Sequence, residues 1–270
     1  MPIYVIVGAS RGLGYQYLKT LARTPENTVF AVARTPSKLQ AQLDADALTS
    51  SVHVVHGDMT APTSLTAAAE SISSSSDHVD YLIVNGAYIN DDDTFFLKPS
   101  DFAGREALFE TELNKSMRTN VTGVLFTINA FIPLVEKSNI KKVIVISTGI
   151  SSPEFVNTVE LADAVPYSLS KAAVNLLVQK YAIEYKDKGV TFLALSPGLV
   201  ATSDSSLGTM SDERLQGFKE MSRRFLKYEP KFTGPISPEE SVEKQLAVLH
   251  RAALSDSGAF LSHHGTQKWI

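Results

Sequence analysis

Ile3-Tyr4-Val5-Ile6-Val7-Gly8-Ala9-Ser10-Arg11-Gly12-Leu13-Gly14 is the stretch that decides the fold. Its first five residues are wholly apolar and mostly β-branched, the pattern of a strand buried on both faces. The chain then enters a glycine-rich turn and, from Tyr15 to Arg23, a helical stretch. Strand, glycine turn and helix in that order open a dinucleotide-binding unit. The glycines permit a tight turn and let the backbone approach a pyrophosphate at a helix N-terminus, where free N–H groups and the dipole favour negative charge. The spacing is Gly-x-x-x-Gly-x-Gly, not the commoner Gly-x-Gly-x-x-Gly. Gly8, Ser10, Arg11, Gly12, Leu13 and Gly14 are thus candidate cofactor-binding residues.

Outward from this stretch, strands and helices alternate without a linker-like break. The sequence predicts strands at Ile3–Val7, Val29–Ala33, Val52–His56, Tyr81–Val84, Lys142–Ile146, Thr191–Leu195 and Ala259–Leu261. Helical stretches fall near 12–23, 37–48, 62–75, 110–137, 166–187 and 238–254. This rhythm predicts an α/β protein: one Rossmann-type doubly wound domain over 1–270, its mostly parallel seven-stranded sheet covered by helices on both faces. The Ser73–Ser76 run reads as a helix end and turn.

Charge bears on the choice of cofactor. An acidic residue after the second strand of such a fold binds the ribose hydroxyls of NAD and repels a 2′-phosphate. Here that strand ends at Ala33 with no carboxylate, and Arg34 follows, twenty positions after Gly14. Arg11, inside the glycine loop, is placed to reach the same phosphate. Two guanidiniums and no acid predict NADP(H).

Tyr167 and Lys171 share one face of a helix, about a turn apart. A phenol has a reference pKa of about 10, and a neighbouring ammonium favours the phenolate, so this pair predicts a tyrosine able to exchange a proton during hydride transfer.

Together these segments make the chain resemble the short-chain dehydrogenase/reductase family, whose glycine motif has this spacing and whose active site carries Tyr-x-x-x-Lys. The resemblance spans nearly the whole chain, with further motifs in order. Asp58 matches the position that holds the adenine ring. Asn85-Gly86-Ala87 looks like the family's Asn-Asn-Ala-Gly, with Gly86 and Tyr88 departing from it. Asn120 matches a catalytic asparagine, Ser147-Thr148 the catalytic serine, and Pro197-Gly198-Leu199-Val200-Ala201-Thr202 the segment that closes over the nicotinamide. The resemblance implies that Tyr167 gives its proton to the developing alkoxide while Lys171 lowers its pKa and holds the nicotinamide ribose. It implies that Asn120 anchors a water, and that a hydroxyl of Ser147 or Thr148 holds the carbonyl oxygen. The family pattern, Ser-Ser with the second residue catalytic, points to Thr148. The long interval to Tyr167 predicts an inserted loop, about Ser151–Asp163, over the substrate pocket. The family also pairs its long helices between subunits, which implies a homodimer or homotetramer.

Composition removes other classes. A net charge of −4 gives no sign of a nucleic-acid or anionic-membrane surface. The absence of cysteine excludes disulfides and thiolate metal sites. No span approaches membrane-crossing length and no signal pattern opens the chain, so a cytoplasmic enzyme is expected, with a small-molecule carbonyl substrate as partner and no metal. Asp91-Asp92-Asp93 reads as a solvated loop, and His263-His264 as a tail or subunit contact. The resemblance implies that the segment after Thr202, about 203–236, is a substrate lid. Its Leu207, Met210, Phe218, Met221, Phe225, Leu226, Tyr228 and Phe232 fit either a hydrophobic, polyketide-like substrate or simple lid packing. The general look, including Ser262-His263-His264-Gly265, is closest to carbonyl-reductase-like members common in fungi. Three alternatives to an NADPH-dependent reductase stay open: an NADP-dependent alcohol dehydrogenase working oxidatively, a non-catalytic NADPH sensor or scaffold, and another reaction such as dehydration or cyclisation.

Overall fold

The computed structural model describes residues 1–49, 51–90, 92–202 and 212–270. Seven strands, β1 (Ile3–Val7), β2 (Thr28–Ala33), β3 (Val52–His56), β4 (Tyr81–Val84), β5 (Lys142–Ile146), β6 (Thr191–Ser196) and β7 (Phe260–Ser262), form one sheet in the order β3-β2-β1-β4-β5-β6-β7. Every pairing is parallel, so the sheet expected to be mostly parallel is wholly so. The winding reverses between β1 and β4, and a sheet of this kind opens its ligand crevice at the carboxyl ends of the strands there.

Both faces are covered, as the unbroken apolar runs require. Helices α1 (Gly12–Leu21) and α2 (Pro36–Ala45) pack on one face with the later α10 (Pro238–Arg251). Tyr17, Leu18, Leu39, Leu43 and Leu249 meet Tyr4, Ile6, Val29 and Ala31 of the strands there. Helices α3 (Pro62–Ser73), α6 (Gly123–Val135) and α8 (Val165–Glu184) pack on the other. Leu65, Ile72, Ile128, Phe131 and Val174 meet Val5, Val7, Phe30 and Val32. Each such side chain, removed from water, contributes about 1.5–3 kcal/mol. The strand residues alternate between the two cores, as a period of two demands.

The long helix expected over 110–137 starts earlier and is jointed. Helix α5 (Glu106–Met117) runs through a π turn, Arg118–Thr122, into α6. Such turns often mark functional positions, and Asn120 sits in this one. Two short helices were not expected: α4 (Asp92–Phe95) after β4, and α7 (Pro153–Val159) inside the predicted inserted loop, with Ser152 as its N-cap. Helix α9 (Asp212–Tyr228) lies in the segment read above as a lid. Leu207 and Met210 lie outside the described residues, as do Asp91 and the side chains of Asp92 and Asp93. Among the described residues no helix is long and apolar enough to cross a membrane.

Candidate active site

At the phosphate end of the cleft, Gly8 and Gly12 hold φ of +85° and +52°, which other residues rarely adopt. A Cβ on Gly14 would run into the Gly8 carbonyl oxygen, and one on Gly8 into the backbone of Gly86. The departure from the family at Gly86 thus coincides with the close approach of β1 and β4. Asn85 Nδ2 donates to the Gly8 carbonyl at 2.9 Å and fixes the turn. Helix α1 starts here with no side-chain cap and no acid in its first turn, leaving its first N–H groups aimed at the cleft. A Cβ on Gly12 would stand 3.7 Å from the Thr202 methyl, so the 197–202 segment reaches over the same spot. This cradle of backbone donors fits a dinucleotide pyrophosphate.

The exposed Arg11 and Arg34 border the same cavity beside Ala33. Asp58 lines it too, one carboxylate oxygen accepting from the Thr60 N–H at 2.8 Å and the Thr60 hydroxyl at 2.9 Å. Ala87 and Ser10 complete this wall.

At the other end, β5 delivers Ser147 and Thr148, and α8 delivers Tyr167 and Lys171. The buried Ser147 Oγ donates to Asn175 Oδ1 at 2.6 Å. Thr148, in extended backbone, borders the cavity beside Tyr167. Both residues border the cavity, and the Ser147 hydroxyl is bonded to the helix. Lys171 is buried and donates from Nζ to the Ile146 carbonyl at 2.7 Å. Its Nζ lies 5.9 Å from the centre of the Tyr167 ring.

One expectation about this group is corrected. Burial pushes the Tyr167 phenol up rather than letting Lys171 draw it down, and burial pushes Lys171 down to about 7. Desolvation outweighs mutual attraction because both groups are wholly enclosed. The Asn120 side chain is bonded within the protein. Oδ1 accepts from the Tyr88 N–H at 2.7 Å, while Nδ2 donates to the Tyr88 carbonyl at 2.8 Å and to Ser170 Oγ at 2.9 Å. Through these bonds Asn120 ties the exit of β4 to the helix carrying Tyr167 and Lys171.

Pro197, Gly198, Val200 and Thr202 leave β6 along the cavity edge. Ser241 Oγ donates to the Pro197 carbonyl at 2.7 Å, and Val200 bridges to Ile236. Gly198 has φ +82°, and a Cβ there would sit 2.7 Å from His263 Cε1. His263 is thus neither tail nor subunit contact. Its ring is buried against Gly198, and burial and His264 push it down to about 4.

The cavity holds about 700 Å³. From α9, Phe218, Met221 and Phe225 face it, while Tyr228 packs against Phe155 of α7 at 5.0 Å and Phe232 against Phe225 at 5.7 Å. Leu226 points to solvent. The lid aromatics therefore divide between lining and packing. Sequence reasoning missed Phe95 and Phe96 on the near wall, Asn90 above them, and Trp269 and Ile270, which close the far side. Trp269 stacks on Phe260 at 4.3 Å and lies where a Cβ on Gly149 would be.

A crevice at the strand-order reversal, with a glycine cradle at one end and a tyrosine–lysine pair at the other, defines a nucleotide-dependent oxidoreductase fold. The family model for short chain dehydrogenases matches residues 2–209, and the chain belongs to the short-chain dehydrogenase/reductase family. It is 39% identical over 272 residues to the short-chain dehydrogenase/reductase AacuF of Aspergillus aculeatus, covering all of both chains. It is 36% identical over 274 residues to the short chain dehydrogenase virK of Hypocrea virens, again over all of both. Among solved structures it is similar to an NADPH-bound carbonyl reductase from chicken fatty liver (TM-score 0.74, 24% identity, 98% of each chain). The carbonyl reductase Sniffer of Drosophila melanogaster is also similar (TM-score 0.77, 17% identity, 98% and 97% of the chains).

Proposed function

We propose that the protein is an NADPH-dependent reductase of an apolar ketone or aldehyde. The observation that carries this reading is one continuous cavity with Thr148, Tyr167 and Lys171 at one end and the glycine cradle with Arg11 and Arg34 at the other. Bound across the strand ends, the dihydronicotinamide would supply the hydride. Gly8, Gly12 and the start of α1 would hold its pyrophosphate, Asp58 its adenine end, and Lys171 the nicotinamide ribose. With no carboxylate at the end of β2, Arg34 and Arg11 favour the 2′-phosphate. A cytoplasmic setting with reduced NADPH suits this direction, and the likeness to an NADPH-bound carbonyl reductase supports it.

The chain's own groups handle the proton. Thr148 Oγ1 donates to the substrate carbonyl oxygen and polarises it. Tyr167 Oη gives its proton to the same oxygen as negative charge develops there. A phenol pushed up by burial keeps that proton until a strong base forms, which suits reduction. The phenolate left behind is stabilised by Lys171 and takes a proton from solvent as the alcohol leaves. Two copies of the chain are further inferred to pair through α8.

The test is oxidation of NADPH and of NADH with a panel of ketones, diketones and quinones, wild type beside Tyr167→Phe. NADPH oxidation that falls at least about 100-fold in the variant is expected, the usual scale of positioned acid catalysis. A preference for NADH overturns the role given to Arg34. Tight NADPH binding with no tyrosine-dependent turnover overturns the enzyme.

A further inference from the structure

A buried chain of hydrogen bonds that the reaction above does not use ends on the segment edging the cavity. Tyr17 on α1, and Ser241 and Gln245 on α10, are each 0% exposed. Tyr17 Oη donates to Gln245 Oε1 at 2.9 Å, and Gln245 Nε2 donates to Ser241 Oγ at 2.9 Å. Ser241 Oγ in turn donates to the Pro197 carbonyl at 2.7 Å.

The order of donors is forced from one end. A carbonyl only accepts, so the Ser241 hydrogen goes to Pro197 and the Ser241 oxygen accepts from Gln245. The amide nitrogen must then face Ser241, the amide oxygen faces Tyr17, and the phenol donates. Such a chain adds little net stability, because apolar groups of the same shape would serve a core about as well. What it fixes is a direction: the Pro197 carbonyl is held toward α10. The peptide joining Pro197 to Gly198 is trans, so the Gly198 N–H, opposite in the same planar unit, points away from α10. Pro197 and Gly198 both border the cavity.

The segment that begins there spans the cavity from end to end. At the reacting end, Ser196 Oγ accepts from the Gly149 N–H at 2.9 Å, one residue past Thr148. At the phosphate end, the Thr202 methyl lies over Gly12 of the cradle. Between them the Ile236 N–H donates to the Leu199 carbonyl and the Ala201 N–H to the Ile236 carbonyl, each at 2.9 Å. A dinucleotide with its pyrophosphate on the cradle and its reacting ring beside Tyr167 has its nicotinamide half along this segment. Its adenine half runs the other way, toward Arg34 and Asp58.

We propose that Ser241 and Gln245 are positioning residues for the nicotinamide half of the cofactor. By holding the Pro197 carbonyl they set the 197–202 segment against that half, and neither side chain touches it. This rests on the dinucleotide reading above.

The test measures, by calorimetry, binding of NADPH and of adenosine 2′,5′-bisphosphate, which carries the adenine half without the nicotinamide. Ser241→Ala removes the bond to Pro197. It is expected to weaken NADPH about tenfold, the scale of one hydrogen bond, while the bisphosphate changes less than about twofold. Unchanged bisphosphate binding also shows that the variant is folded around the cradle. Gln245→Leu leaves Ser241 its bond but removes the group that orients it, and is expected to weaken NADPH about threefold, again sparing the bisphosphate. A merely structural role lowers both ligands together or neither, and either result overturns the proposal.

A second measurement needs no variant to fold. Amide hydrogen exchange over residues 198–202 of the wild type is expected to slow at least about fivefold more with NADPH than with the bisphosphate. Equal protection overturns the proposal. No turnover enters either measurement, so the reductase reading fails separately. If the wild type binds NADH and ADP instead, Arg34 loses its role and that pair still tests Ser241; binding of neither pair overturns both readings.

Discussion

Lys171 shows what the site asks of single residues. A lysine this buried loses hydration that one bond to the Ile146 carbonyl only partly restores, hence its fall to about 7. In the proposed reaction its ammonium would stabilise the Tyr167 phenolate formed on proton transfer, when opposite charges face each other inside the protein. The two hydroxyls ending β5 differ just as sharply. Ser147 Oγ is bonded to Asn175, which in turn donates from Nδ2 to Ser151 Oγ at 2.9 Å, a chain that braces the strand end against α8. Thr148→Val removes the donor at the carbonyl oxygen and should lower kcat/KM by about 100-fold, the scale for losing one oxyanion donor. Ser147→Ala leaves the half-buried Asn175 oxygen without this donor. It should lower stability by about 1 kcal/mol and activity far less. Steady-state kinetics beside thermal unfolding checks both, and the reverse ranking of activities would sink the assignment.

Among the elements, the junction of β2 with α2 carries the proposed choice of cofactor. Arg34 is the first residue past the strand and stands at the cleft edge with no acid beside Ala33. A charge-assisted bond to a phosphate is worth about 1.5–3 kcal/mol, and solvent exposure brings that toward the lower end. Arg34→Ala is therefore expected to raise KM for NADPH about tenfold while NADH changes less than threefold. A ratio that does not move removes Arg34 from cofactor selection. Elements of this kind were legible in the sequence, because the strands are unbroken apolar runs and the motifs sit at their carboxyl ends. Every expected strand is present within a residue or two, and Gly8, Thr148 and Tyr167 meet in one cavity from local pattern alone. The substrate side was not legible. Phe218 and Phe225 line the cavity while Phe232 packs behind them, and no spacing distinguishes the two. Glu112 and Asn90 lie 22 residues apart and meet only because the π turn and β4 bring α5 over the loop. His263 reads as tail polarity until β7 carries it under Gly198.

Across the whole molecule, one surface stays unexplained by the fold itself. On α8, Val174 and Val178 are buried on the sheet, while Leu169, Leu176 and Ile183 are 48%, 57% and 68% exposed. Their spacing of seven residues sets them in one row, drifting only about 20° per step. A row on a single helix can be covered by the same row of a second copy about a two-fold axis, with Leu176 near the centre, and closed two-fold pairs are the commonest assemblies. The inferred pairing follows from this, and it would brace the helix that holds Tyr167 and Lys171. Leu176→Glu would set two carboxylates against each other at that axis, where like charges repel and lose hydration. Light scattering on a sizing column is expected to give the mass of an even assembly for the wild type and a halved mass for the variant. Thermal unfolding should also shift with protein concentration in the wild type, since association stabilises only the folded chain. A wild type of single-chain mass at micromolar concentration, or a variant whose mass does not fall, would leave this row without the partner inferred for it.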